Sequence, residues 1–255
     1  MARRPPPRTW PRTWPRTWRR QARRALTGLG LWLAGACGGG AQEVVSARYV
    51  DPVTRYDHGV LGDAVEYGAL RIDVAGQGAV TFRLPQSHVF EDLFPRLVDL
   101  DLDGRNDAVM VVETDMGLGA ALALYGPTGK IAETPHIGRT HRWLAPLGAA
   151  DLDGDGRVEL AYVDRPHLAK TLRIWRYANG MLMPVAERSG LTVHRIGEDV
   201  ISGGIRDCGA GPEIITADAD WRRIMASRLT GITITPRDLG PITGPGSIRS
   251  ALSCQ

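Results

Sequence analysis

Two acidic loops whose first residues lie 52 positions apart constrain this chain more than any other feature. Asp151-Leu-Asp-Gly-Asp-Gly-Arg-Val-Glu159 carries carboxylates at Asp151, Asp153, Asp155 and Glu159, and Asp99-Leu-Asp-Leu-Asp-Gly-Arg-Asn-Asp107 carries them at Asp99, Asp101, Asp103 and Asp107. The acids fall in the same relative positions, and Gly104 and Gly156 follow the third acid, where the chain must turn sharply. So many oxygens in so short a loop suit a hard cation. Calcium, which takes about six to eight oxygen ligands at flexible geometry, is the expected occupant, in a structural role. The ligand set read from the spacing is the side chains at loop positions one, three, five and nine, with the backbone carbonyl of Arg105 or Arg157 at position seven.

These loops are not EF-hands. An EF-hand needs a bidentate Glu at its twelfth position between two helices, whereas the twelfth residues here are Tyr162 and Met110. Short valine-rich runs follow each loop, Asp107-Ala-Val-Met-Val-Val-Glu and Glu159-Leu-Ala-Tyr-Val-Asp, and read as strands. The loops therefore join strand to strand.

A second periodicity interlocks with the first. Gly78, Gly129, Gly180 and Gly231 recur every 51 residues, each in the turn of an expected hairpin. The hairpins are Leu70–Val74 with Ala79–Leu84, Ala121–Tyr125 with Lys130–Glu133, Leu172–Tyr177 with Met181–Ala186, and Ile224–Leu229 with Ile232–Thr235. The unit is strand, acidic loop, strand, hairpin. A third loop near residue 205 keeps acids only at Asp207 and Glu213, and is expected to be held by glycine turns and Cys208 instead of metal. Four strands per unit of about 50 residues predict an all-β, β-propeller-like array of about four four-stranded blades, with Val44 to Leu84 as a less regular first unit.

Residues 1–41 read as an Arg-rich leader and signal peptide, followed by a single domain over 42–255. Pro-Arg-Thr-Trp occurs three times between Pro7 and Trp18; an apolar run over Ala25–Ala36 and small residues to Ala41 complete a secretory pattern, with cleavage after Ala36 or Ala41. The run is too short to span a bilayer. Cys37 loosely matches a lipoprotein box, with removal in the leader the simpler expectation, and Arg23-Arg24 faintly resembles a twin-arginine signal but is read as incidental in so arginine-rich a leader. Export, to the periplasm or beyond, makes a Cys208–Cys254 disulfide the expected fate of the remaining cysteines.

The formal charge of +3 belongs to the leader. Nine of the 31 basic residues precede residue 25 and no acid precedes Glu43, so the mature part sets 22 basic residues against 28 acidic ones. That balance excludes a basic nucleic-acid footprint.

Asp99-Leu-Asp-Leu-Asp-Gly and Asp151-Leu-Asp-Gly-Asp-Gly, each leading into an apolar strand, resemble the FG-GAP or VCBS-type repeats of integrin-like β-propellers in exported proteins. The resemblance covers Arg96 to Trp221 and implies calcium in the blade loops on Asp99, Asp101, Asp103, Asp107, Asp151, Asp153, Asp155 and Glu159. The chain departs from it in the third loop and in lacking a clear Phe-Gly…Gly-Ala-Pro motif.

Catalytic signatures are absent: there is no Gly-x-Ser-x-Gly elbow and no His-Glu-x-x-His helix. Gly126-Pro-Thr-Gly-Lys130 lacks the first glycine and the terminal Ser or Thr of a phosphate loop and reads as a hairpin turn. The histidines His58, His88, His136, His141 and His194 show no metal spacing and are expected at the surface or as caps. The expected function is a calcium-binding interaction module for an envelope or extracellular ligand, a polysaccharide, peptide or protein. The alternative is a propeller hydrolase or lyase acting on carbohydrate, which requires Glu113, Asp164, Asp218 or His167 to meet in one cleft beside Arg165 and Trp221.

Overall fold

Strand β6 (Ala108–Asp115) shows how the interior is built. Its residues Ala108, Met110 and Val112 enter one core while Val109 and Val111 enter another, so both faces are buried and the sequence is apolar without alternation. A computed structural model describes residues 42–62 and 64–255; the leader, its cleavage sites and Cys37 lie outside the described residues. The described residues belong to one compact unit.

The described residues are all-β apart from one short helix. Strands β1 (Val44–Val53), β2 (Glu66–Val74), β3 (Gly78–Arg83), β4 (His88–Phe90) and β5 (Arg96–Val98) precede β6, and β7 (Gly119–Gly126) and β8 (Gly129–Glu133) follow it. These eight form one antiparallel sheet. A second sheet contains β9 (Leu144–Ala150), β10 (Glu159–Asp164), β11 (Thr171–Ala178) and β12 (Met181–Ser189). The third contains β13 (Leu191–Thr192), β14 (Gly204–Asp207), β15 (Pro212–Asp218), β16 (Arg223–Thr230) and β17 (Thr233–Pro241), with helix α1 (Ser247–Leu252) packed on its outer side.

The order strand, loop, strand, hairpin occurs three times in succession, as β5–β8, β9–β12 and β14–β17. All four expected hairpins form, with closing pairs Val74↔Gly78, Gly126↔Gly129, Ala178↔Met181 and Thr230↔Thr233. The expectation of four separate four-stranded sheets needs correction. Among the described residues there are three sheets, and only the second has four strands. The first unit supplies only β1–β3, and the short strand β4 joins it to the second through Tyr67↔Phe90 and Phe90↔Glu113.

The main core joins the second, third and fourth units through Met110, Leu122, Leu124, Leu160, Leu172, Ile174 and Ile214, all at most 1% exposed. Burying each such side chain contributes roughly 1.5–3 kcal/mol. A separate cluster, Tyr49, Leu70, Ile72, Phe90 and Tyr125, fills the fold between the first two units. No helix among the described residues is long and apolar enough to cross a membrane.

Candidate functional site

Because neighbouring strands run antiparallel, the acidic loops and the hairpin turns lie at one end of their sheets. The β8–β9, β10–β11 and β12–β14 connections lie at the other. Each end gathers its own chemistry.

At the first end, two loops share one hydrogen-bond scheme. The position-one carboxylate accepts from the backbone N–H groups of positions five and six: Asp99 from Asp103 and Gly104, Asp151 from Asp155 and Gly156. The position-five carboxylate accepts from the N–H and guanidinium of the arginine at seven, which holds Asp103 and Asp155 below the usual carboxylate range. The position-nine acid accepts from the N–H of position two, Asp107 from Leu100 and Glu159 from Leu152. Burial pushes both Asp107 and Glu159 up. Gly104 and Gly156, at φ +89° and +81°, make the turn. Asp99, Asp101 and Asp103 can bring one oxygen each within 4.8 Å of the others, as can Asp151, Asp153 and Glu159.

The loops differ in what faces them across the sheet. Glu159 pairs with Arg176, whose guanidinium bonds Glu159 at 2.5 Å and Asp153 at 2.7 Å and lies 3.3 Å from Asp155. Counted in the same register, the residue facing Glu213 is Arg228 and the residue facing Asp107 is Pro127. Loop 151–159, together with Arg176 from β11, thus sets four acids against two arginines, whereas loop 99–107 sets four acids against Arg105 alone. The residues of both loops fit a calcium ion, since all their acidic groups are oxygen donors. In the second loop Asp153 Oδ1 is buried without a hydrogen-bond partner, but Arg176 already supplies positive charge there. The first loop has no such substitute.

The third loop follows different physics. Asp207 accepts from the N–H groups of Gly209 and Gly211, and Cys208 forms the disulfide with Cys254 that the sequence led us to expect. Glu213 is ringed by Arg206, Arg228 and Arg237.

At the opposite end, four connections converge on a cavity of about 180 Å³. Its wall comprises His58 and Val60 from β1–β2, His141, Arg142 and Trp143 from β8–β9, Arg165 to Leu168 from β10–β11, and Ile196 from β13–β14. Each histidine on the wall is anchored at one ring nitrogen. His58 Nδ1 lies 2.5 Å from Glu91 Oε1, and Glu91 is itself fully buried, accepting from Thr114 Oγ1 at 2.7 Å. His141 Nε2 lies 2.8 Å from Asp57. His167 Nε2 lies 3.1 Å from His194 Nδ1, and His194 Nε2 bonds the Glu198 carbonyl. Burial depresses both rings of the last pair, bringing His167 to about 4. Trp143 backs the cavity, donating from Nε1 to the Glu91 carbonyl and meeting His194 edge-on. Gly119 lets this connection approach: a Cβ there would lie 2.4 Å from the Arg139 carbonyl oxygen.

The residues expected to meet in a catalytic cleft are separated. Glu113 accepts from Tyr125 and Lys130, Asp164 binds Arg165 and Arg173, and Asp218 accepts from the backbone of Arg222 and Arg223. Trp221 lies beneath Arg195, 4.2 Å from its ring centre. Only His167 and Arg165 reach the cavity, and no Asp or Glu lines it. His194, expected at the surface or as a cap, is 1% exposed and bonds the Glu198 carbonyl. The convergence of His58, His141 and His167 is absent from any local motif, because the three stand 83 and 26 residues apart.

No family model matches the chain, and neither a curated protein nor a solved structure proved similar to it.

Proposed function

We propose that the protein is an exported, calcium-stabilised binding module of propeller-like organisation. In this reading, calcium fixes the acidic end and the end where the connections converge engages an envelope or extracellular ligand. The observation that carries the reading is the shared scheme of loops 99–107 and 151–159, in which backbone N–H groups orient acids at the same positions while leaving oxygens clustered. The resemblance to FG-GAP and VCBS-type repeats points the same way, and the three successive meanders have the strand order that such blades require. Loop 99–107 is the principal calcium site, with Asp99, Asp101 and Asp103 as ligands. Hydrolysis or lysis of carbohydrate receives no support from a cavity without a carboxylate on its wall.

Calcium titration calorimetry tests the metal part: at least one site is expected, and absence of binding heat together with absence of calcium in equilibrium dialysis contradicts it. Capture from an envelope extract, repeated in calcium and in chelator, tests the binding part.

A further inference from the structure

The charges around the histidine cavity do not balance. Its wall carries two arginines and no Asp or Glu. Arg165 is neutralised by Asp164, which accepts from its Nε and Nη2 at 2.8 and 2.9 Å. His58 and His141 each face an acid that is not on the wall, Glu91 and Asp57 respectively. His167, which burial brings to about 4, is uncharged at neutral pH. Arg142 is the exception. It is half-buried, and among the described residues it has no acidic partner; Nη1 donates to the carbonyl of His141, itself on the wall, while Nε and Nη2 are left without a protein acceptor. Those two N–H groups form the same edge with which Arg165 clamps Asp164. A polar group withdrawn from water without a partner is costly, and an anion in the cavity would offset that cost.

The rest of the wall is apolar and aromatic. Trp143 is buried, the rings of His58 and His141 lie 5.3 Å apart, and Tyr56 stacks beyond His141 at 5.2 Å. Leu168 and Ile196, from different connections, are 64% and 75% exposed. The connections brace one another: the Arg165 N–H donates to the Trp143 carbonyl at 3.1 Å, and a Cβ on Gly62 would lie 3.2 Å from the Gly197 carbonyl oxygen. His141 and Arg165 hold φ at +52° and +45°, a left-handed conformation that costs energy in residues other than glycine and that clusters at ligand clamps. A preformed, mostly apolar concavity with few polar groups is the form that small-molecule sites take.

We propose that this cavity binds a small aromatic monocarboxylate, its ring enclosed by Trp143, His141, Leu168 and Ile196 and its carboxylate held by Arg142. The volume of about 180 Å³ sets the size, since a cavity of about 150 Å³ encloses benzene: one ring with a short substituent fits. The single unpaired guanidinium sets the charge at one, which favours a carboxylate over a doubly charged phosphate. Its two free N–H groups match a carboxylate bidentately, the geometry in which arginine binds such groups most strongly. Aromatic faces around the ring favour offset or edge-on contact with it.

The inference deepens the reading of this end as the one that engages a ligand, and it is tested by titration calorimetry with sodium phenylacetate in saturating calcium. One bound phenylacetate is expected, with a dissociation constant of about 1 mM or tighter. Benzylamine, similar in size and opposite in charge, should not bind. Arg142→Gln should weaken phenylacetate binding by about tenfold or more, because a hydrogen-bonded charge is lost. Leu168→Asp, at an exposed position, puts a carboxylate on the wall and should abolish binding. Absence of phenylacetate binding overturns the proposal, as does equal binding of benzylamine or full binding in both variants. Should Arg142→Gln fail to fold, Leu168→Asp and the benzylamine comparison on the unaltered protein decide. Failure with phenylacetate while capture from an envelope extract persists overturns the cavity assignment alone, so the two readings fail separately.

Discussion

Arg176 places Nη2 2.7 Å from Asp153 Oδ2, among the clustered carboxylates of loop 151–159. The guanidinium is 16% exposed, and Glu159, which it also binds, is fully buried. Removing one partner of a buried pair leaves the other charge uncompensated, at a cost of about 3–5 kcal/mol. Arg176→Ala should lose about that much in urea unfolding without calcium and regain part of it when calcium replaces the lost charge. A loss below about 1 kcal/mol, or no recovery, would show that loop 151–159 does not depend on its internal cation.

Glu213 carries the same principle into the third sheet. Burial pushes its carboxyl up, yet Arg206, Arg237 and Arg228 more than offset burial and hold it below the usual glutamate range. A depressed acid contributes stability that is fully present above its unfolded pKa, about 4.3, and is lost as pH falls through the folded value. Glu213→Gln should therefore be less stable than the parent at pH 7, by about 3 kcal/mol. The two melting temperatures should converge as the pH is lowered below 4.3. A gap that stays constant with pH would contradict the assignment.

Cys208 and Cys254 close a segment of 46 residues, tying helix α1 to the shortened third loop. In the chain-entropy account such a cross-link contributes about 4 kcal/mol. Reduction, or Cys254→Ser, should lower the denaturation midpoint accordingly, and iodoacetamide should label neither thiol of the unreduced protein. Labelling of both would refute the pairing.

Much of the fold was legible because its periodicity is local. Glycine at positive φ within each hairpin turn, at 78, 129, 180 and 231, marks the repeat from sequence alone. Strand β6 was recognisable as a strand from its short valine-rich run; its burial on both faces came only with the fold. What sequence did not reveal is how the first two units fuse, since β4 contributes only three residues and pairs with both β2 and β6. The acidic positions were legible as clusters, but their inequality was not. Arg176 lies 17 residues beyond Glu159 and meets it only through the β10–β11 register, where the earlier unit places Pro127. The histidine cavity was invisible for the same reason: its members come from connections whose lengths and sequences share nothing, and only the folded chain brings His58 to His141.

The most direct test of the calcium claim is the thermal melt of the protein in calcium and in chelator, compared with Asp99→Ala and Asp153→Ala. At about 100 times the dissociation constant, one site should stabilise the protein by about 2.7 kcal/mol. For a domain of this size that corresponds to a rise of roughly 5–10 °C. The account predicts that Asp99→Ala abolishes most of the rise while Asp153→Ala, in the arginine-filled loop, leaves most of it. No calcium-dependent rise in the parent, or a rise lost with Asp153→Ala and kept with Asp99→Ala, would contradict it.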